Sequence, residues 1–174
     1  PYVSNSFLPD LYLKLQELSM ARPVSGLLTD MVCCPGGDFC SLANARSITV
    51  AEDINRRYKS LDKLESLGNI DLRISGCMNS CGHHHIGNIG ILGVDKDGKA
   101  FYQLLLGGNS GEKGKASLGK IIAKAFAEDE ISDAVENILQ HYLNKRDKNE
   151  TFRNTVARLG NASFAEAANK ARKS

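Results

Sequence analysis

The chain has 174 residues, 42% hydrophobic and 24% charged, with 22 basic against 20 acidic side chains and a net charge of +2. That balance excludes a disordered tail and leaves no electrostatic footprint for nucleic acid or an anionic membrane. No apolar run approaches the roughly eighteen residues that span a bilayer, and the N-terminal stretch lacks the order of a secretory signal, so the sequence reads as cytoplasmic.

In chain order, Leu8, Leu11, Leu15 and Leu18 recur at helical spacing behind Pro9-Asp10, and Arg22-Pro23 with Gly26 closes this amphipathic segment. Residues 33–46 form a loop rich in Cys, Gly and Asn. Thr49-Val50-Ala51-Glu52 reads as a capping box, and Val50, Ile54 and Leu61 as the apolar face of one helix over 47–62. Leu72 and Ile74 alternate with Arg73 and Ser75 as a short strand, which Gly76 breaks into a second cysteine-rich loop. An apolar run from Ile86 to Val94, the turn signal Asp97-Gly98 and a second run from Phe101 to Leu106 predict a β-hairpin over 86–106.

Gly107, Gly108, Gly111 and Gly114 then form a flexible loop. Leu118, Ile121, Ile122, Ala125 and Phe126 predict a helix over 117–127, and Ile131, Val135, Ile138, Leu139 and Tyr142 another over 131–143. Phe152, Val156 and Leu159 mark a weaker helix behind the run Lys145 to Glu150, which reads as a solvated linker. The alanine-rich tail from Ala162 reads as a frayed helix without chemistry. The expected class is α+β, a mixed and mainly antiparallel sheet flanked by helices.

All five cysteines, Cys33, Cys34, Cys40, Cys77 and Cys81, lie in the two loops. An odd count in a chain without an export signal speaks against a disulfide framework and for metal or redox chemistry. Zinc ribbons use C-x2-C pairs on tight knuckles. Here the pairs are wider, C-x5-C at Cys34 and Cys40 and C-x3-C at Cys77 and Cys81, which suits the edge of a 4Fe-4S cubane better than one small ion. Gly36, Gly37, Gly76 and Gly82 permit close backbone approach to sulfide, and the loop-to-helix step after Cys40 would turn a helix N-terminus toward an anionic cluster.

The stretch Cys34-Pro35-Gly36-Gly37-Asp38-Phe39-Cys40, continued by Ser41-Leu42-Ala43-Asn44-Ala45-Arg46-Ser47, and the stretch Gly76-Cys77-Met78-Asn79-Ser80-Cys81-Gly82 running on to Gly90, resemble the nitrite and sulfite reductase hemoproteins. The resemblance implies a 4Fe-4S cluster on Cys34, Cys40, Cys77 and Cys81, with the Cys81 thiolate also the axial ligand of a siroheme iron. It implies electrons from a ferredoxin or flavoprotein, and six-electron reduction of nitrite to ammonia or sulfite to sulfide. Residues 1–22 resemble the end of a ferredoxin-like half-domain, and 23–174 the 4Fe-4S and siroheme-binding domain. The family's anion-binding residues belong to the N-terminal portion of the enzyme, which is thereby an expected partner. No catalytic residue is assignable within this chain.

Asn79, between two of the ligands, is either a donor to a cluster sulfur or siroheme carboxylate, or an ordinary turn residue. His83, His84 and His85, placed in an extended strand, alternate faces and so give polar support beside a cofactor or a solvated surface. Lys113 and Lys115 in the glycine loop either hold the siroheme rim or belong to a plain surface loop, since Ala116 stands where a phosphate loop requires Ser or Thr. Cys33 is either an alternative ligand beside Cys34 or a buried, idle thiol, the reading favoured because Cys34 alone gives the C-x5-C spacing. Two other classes are an iron-sulfur electron carrier without siroheme and a zinc-stabilised interaction domain.

Overall fold

The computed structural model describes residues 2–111 and 115–173. Its helices are α1 (Leu8–Glu17), α2 (Gly36–Phe39), α3 (Ile48–Arg57), α4 (Leu61–Leu67), α5 (Glu128–Lys145), α6 (Phe152–Leu159) and α7 (Asn161–Asn169). The strands are β1 (Val32–Cys33), β2 (Leu72–Ser75), β3 (Ile89–Lys96), β4 (Lys99–Leu106), β5 (Lys120–Ile121) and β6 (Phe126–Ala127). The sheet runs β1-β2-β3-β4-β5, with β6 also on β4; β1, β2 and β3 are parallel, and every pairing of β4 is antiparallel. This is the expected α+β class.

The hairpin forms because Asp97 and Gly98 both take positive φ, +55° and +76°, the conformation of a two-residue turn whose twist matches its strands. Its first strand starts at Ile89, later than the apolar run at Ile86 predicts, because His84–Ile86 are wound into a 3-10 turn. Leu72 and Ile74, Ile89 and Ile91, and Tyr102, Leu104 and Leu106 alternate onto one sheet face. There they meet Val50 and Ile54 of α3, Leu64 and Leu67 of α4, and Ile131, Val135, Ile138 and Leu139 of α5 in a single core.

Three helix assignments need correction. The predicted helix over 47–62 is two helices, broken at the buried Tyr58, with Leu64 and Leu67 in the core where Leu61 was expected. The predicted helix over 117–127 is two short strands, because the free edge of β4 takes backbone partners at Leu105, Leu106, Phe101 and Tyr102. Pairing there outweighs a helical apolar pattern whose members Leu118 and Ile121 remain exposed. The C-terminal tail is a structural helix: Phe164, Ala167, Ala168 and Ala171 are buried, and α7 packs along α5.

The chain end is anchored where α5 begins. Glu130 accepts the N–H of Ala127 and of Lys173, and Arg172 donates to the carbonyls of Lys124 and Ala125 while stacking on Phe126. The run Lys145 to Glu150 is ordered against α6, since Glu150 accepts from Arg158 and Thr155 of that helix and from the Asp147 N–H. By contrast α1, although helical as predicted, buries none of its residues; Leu8, Leu11, Tyr12 and Leu13 are exposed.

Phe164→Ala is expected to destabilise the fold by about 3–5 kcal/mol through cavity formation, measured by urea unfolding; a change under 1 kcal/mol would return the tail to a frayed state. Arg158, with the Asp147 N–H, holds the Glu150 carboxyl down from its ordinary 4.5 to about 2. A depressed carboxylate stabilises the fold fully above its unfolded pKa and loses that contribution as pH falls through the folded value. Thermal melting of Glu150→Gln should therefore show a flatter pH dependence than the parent between about pH 4.5 and 2.

Candidate metal centre

Parallel pairing of β1 with β2 brings the two cysteine loops out side by side, because both leave the carboxyl ends of adjacent strands. The Cys34 N–H continues the ladder to the Ile74 carbonyl at 3.1 Å. The first loop then coils into α2, where Cys40 N–H bonds to Gly36 O, and folds back so that Gly37 N–H meets Ala45 O, each at 2.8 Å. The second loop locks onto it: the Gly76 carbonyl accepts Asn44 N–H at 2.9 Å and Ala45 N–H at 3.0 Å.

Glycine is required at the crossing. A methyl group on Gly76 would lie 2.6 Å from Ala45 O and 2.7 Å from Gly36 Cα, and one on Gly36, whose φ is +56°, would strike Ser47. At Gly82 a methyl would collide with Ile74 O, and the Gly82 N–H is held by the Ser75 hydroxyl at 3.1 Å.

Asp38, between Cys34 and Cys40, ties the first loop to the helix behind it. One carboxylate oxygen accepts Arg46 Nε at 2.9 Å, and the other accepts Ser47 N–H at 3.1 Å and Ile48 N–H at 3.0 Å. Burial raises the Asp38 pKa, but the bonds from Arg46 and the two backbone donors outweigh it and hold the carboxyl below the usual carboxylate range. These bonds overturn two expectations. The cap of α3 comes from Asp38 at the preceding loop, in place of a capping box at Thr49 to Glu52. The α3 N-terminus accordingly has two of its N–H groups already taken by a carboxylate.

Of the predicted ligands, Cys77 is buried, Cys34 and Cys40 are half-buried and Cys81 is exposed. Cys34 Sγ accepts the Gly76 N–H at 3.1 Å and has Ser47 Oγ at 3.6 Å. Among the described residues no three His, Cys, Asp or Glu side chains gather tightly enough to hold a metal ion. Four thiols on two pinned loops, with backbone amides and glycines beside them, match the donor chemistry of a larger iron-sulfur group. Phe39, Leu42 and Met78 extend from the same loops into solvent, 83%, 72% and 82% exposed.

Cys33 lies on β1 against the core, and its thiol donates to Cys34 O. Burial, reinforced by Cys34 and Asp38, pushes that thiol up to about 12, so it stays protonated at neutral pH. Asn79 is exposed on the turn closed by Ser80 N–H to Cys77 O. The three histidines are not in a strand. His83 is left-handed and His84–Ile86 form the 3-10 turn, so His83 is exposed, His84 buried and His85 half-buried. Burial, with His85 beside it, pushes His84 down to about 4 and leaves its ring neutral. Lys115 is exposed, and Lys113 lies outside the described residues. Sequence reasoning overlooked Asp38, Ser47 and Ser75; only the position of Asp38 inside C-x5-C hinted at a role in the loop.

The family of the nitrite and sulphite reductase 4Fe-4S domain matches residues 27–174. A ferredoxin-nitrite reductase of Leptolyngbya laminosa is 32% identical over 70% of this chain and 24% of its own length. A cobalt-factor III methyltransferase of Priestia megaterium is 31% identical over 88% of this chain and 26% of its own. The solved structure of the Mycobacterium tuberculosis NirA protein superposes with a TM-score of 0.74 at 25% identity, over 94% of this chain and 31% of that one. The chain thus spans about a quarter of the length of each of these two curated relatives. No helix among the described residues is long and apolar enough to cross a membrane.

Asp38→Ala removes the carboxylate that caps α3 and clamps the loop, and is expected to cost about 1–2 kcal/mol of unfolding free energy. Because the Asp38 carboxyl is held low in the folded chain, that difference from the parent should be largest above the ordinary carboxylate range and shrink as pH falls through it; urea unfolding at several pH values measures both.

Proposed function

Since this chain belongs to the nitrite and sulphite reductase 4Fe-4S domain family, we propose that it is the cofactor-binding portion of an oxidoreductase that reduces nitrite or sulfite by six electrons. The observation that carries this reading is the convergence of the two cysteine loops, pinned through Gly76, at the carboxyl ends of two parallel strands. Cys34, Cys40, Cys77 and Cys81 are the residues that would hold a 4Fe-4S cluster, and Cys81 the one that would also hold siroheme. When bound there, such a cluster would supply one-electron, low-potential redox chemistry, and a siroheme would supply the site for anion reduction.

The chain's own residues do the holding and orienting. Gly76 donates its N–H to the Cys34 sulfur, Asp38 fixes the loop between Cys34 and Cys40, and the Ser75 hydroxyl fixes Gly82 next to Cys81. Cys81 is the exposed member of the four, which supports its assignment as the sulfur that reaches a second cofactor. Phe39, Leu42 and Met78 offer an apolar surround for a flat ring, and Asn79 a polar group at its margin.

Residues 1–22 are proposed as the end of a ferredoxin-like half-domain, with the exposed apolar side chains of α1 covered by the N-terminal portion of the enzyme. The name of the Leptolyngbya relative supports a ferredoxin as electron donor, with a flavoprotein as the other candidate. A second reading is favoured by the methyltransferase relative: an iron-sulfur module serving an enzyme of another class.

Anaerobic reconstitution with iron and sulfide, with and without siroheme, separates the readings. The expected result is about four irons per chain and siroheme absorbance bands that require Cys81, lost in Cys81→Ala. Iron without siroheme uptake supports the second reading, and one tightly bound zinc with no iron overturns both. With Cys81 open to solvent, the chain purified in air is expected to be colourless; a stable brown preparation would contradict this exposure.

A further inference from the structure

Ser47 stands at the N-cap of α3, the position where a serine hydroxyl ordinarily accepts a backbone N–H of the first helical turn. It makes no such bond, because Asp38 supplies the carboxylate that receives the N–H groups of Ser47 and Ile48. Released from capping, the hydroxyl points into the junction of the two cysteine loops. Ser47 is 0% exposed, and the polar partner of its oxygen is the sulfur of Cys34, 3.6 Å away, within reach of a hydroxyl-to-sulfur hydrogen bond.

Its position is fixed from three sides. The Ser47 oxygen lies against the Gly36 backbone, it is 2.9 Å from where a Gly76 methyl would stand, and it shares the Cys34 sulfur with the Gly76 N–H at 3.1 Å. Two polar groups of different origin, one side-chain hydroxyl and one backbone amide, therefore converge on one of the four thiols. Hydroxyl groups are costly to bury without a partner, and here the sulfur is that partner.

We propose that Ser47 is a tuning and positioning residue for the cluster ligand Cys34: its O–H donates to the thiolate and raises the reduction potential of the iron-sulfur centre. A donor on a ligand sulfur stabilises the reduced cluster, which carries one more negative charge, more than the oxidised one. The Gly76 N–H acts in the same direction but belongs to the backbone, so Ser47 is the member of the pair that a single substitution can remove without altering the loop crossing. Because the hydroxyl is fully enclosed, this contribution does not depend on solvent reaching the site. The inference rests on the proposed ligand set, and it adds to that set a residue that touches no iron.

The test is a redox titration of the anaerobically reconstituted chain, followed spectroscopically, for the parent and Ser47→Ala, with iron content determined for both. The expected result is about four irons in each and a tenfold shift of the one-electron equilibrium toward the oxidised cluster in Ser47→Ala, a potential lower by about 59 mV. An unchanged potential at full iron content overturns the inference while leaving the cluster assignment standing. A parent chain that takes up no iron overturns the cluster assignment and this inference with it, so the two failures are told apart by the iron analysis. If Ser47→Ala does not retain its iron, Ser47→Gly, which also removes the hydroxyl and relieves the contact with Gly36, is titrated in its place and judged by the same shift. A purely structural role for Ser47 would lower thermal stability in these variants without moving the potential.

Discussion

The carbonyl of Gly76, which takes the N–H groups of Asn44 and Ala45 together, is the interaction on which the arrangement of both cysteine loops depends. Separately, each loop has little to anchor it: Phe39, Leu42 and Met78 face solvent, and of the first loop only the small Ala45 enters the core. Joined at that carbonyl they become one unit, and the N–H of the same residue is spent on the Cys34 sulfur. One residue of the second loop thus fixes the return of the first and orients one of its thiols. A side chain at Gly76 would push Ala45 and Gly36 apart and undo both.

Behind this junction the fold supplies rigidity in layers. The sheet carries the loops on β1 and β2, and β2 is buried against α3, α4 and α5 through Leu72 and Ile74. Asp38 then links the loop to α3, and Tyr102 of β4 donates its hydroxyl to the Arg46 carbonyl at 2.8 Å, tying the base of the loop to the antiparallel half of the sheet. The loops are therefore held at both strand and helix, while Cys81, Phe39, Leu42 and Met78 face outward. A scaffold that is firm beneath and open above suits a site completed by groups outside this chain.

The ion-pair chemistry divides the same way. Asp38 and Arg46 belong to the cysteine loops, where Arg46 also reaches Glu128 of α5 at 4.0 Å, whereas Glu150 with Arg158 and Glu130 with the chain end organise the helical layer. The helical layer uses its charges to close connections and to seat α7 on α5. Its contribution to the site is indirect: it buries the sheet face that sets the directions of β1 and β2.

The pairing of the two cysteine loops was legible in the sequence because spacing is local: C-x5-C and C-x3-C with glycine neighbours are properties of short stretches. The hairpin was legible for the same reason, since Asp97-Gly98 sets its own turn, and so was α5, whose apolar period is long enough to be unambiguous. Residues 117–127 were misread because strand pairing depends on a free edge of β4 that no local pattern reveals. His83 to His85 were misread because a left-handed residue and a 3-10 turn replaced the strand. The sequence by itself determined which thiols the two loops carry and how they are spaced. Only the tertiary structure decided that Gly76 joins the loops, that Asp38 caps α3 and that Ser47 is thereby left to face Cys34, because each of these contacts joins groups that only the parallel pairing of β1 and β2 and the return of the first loop bring together.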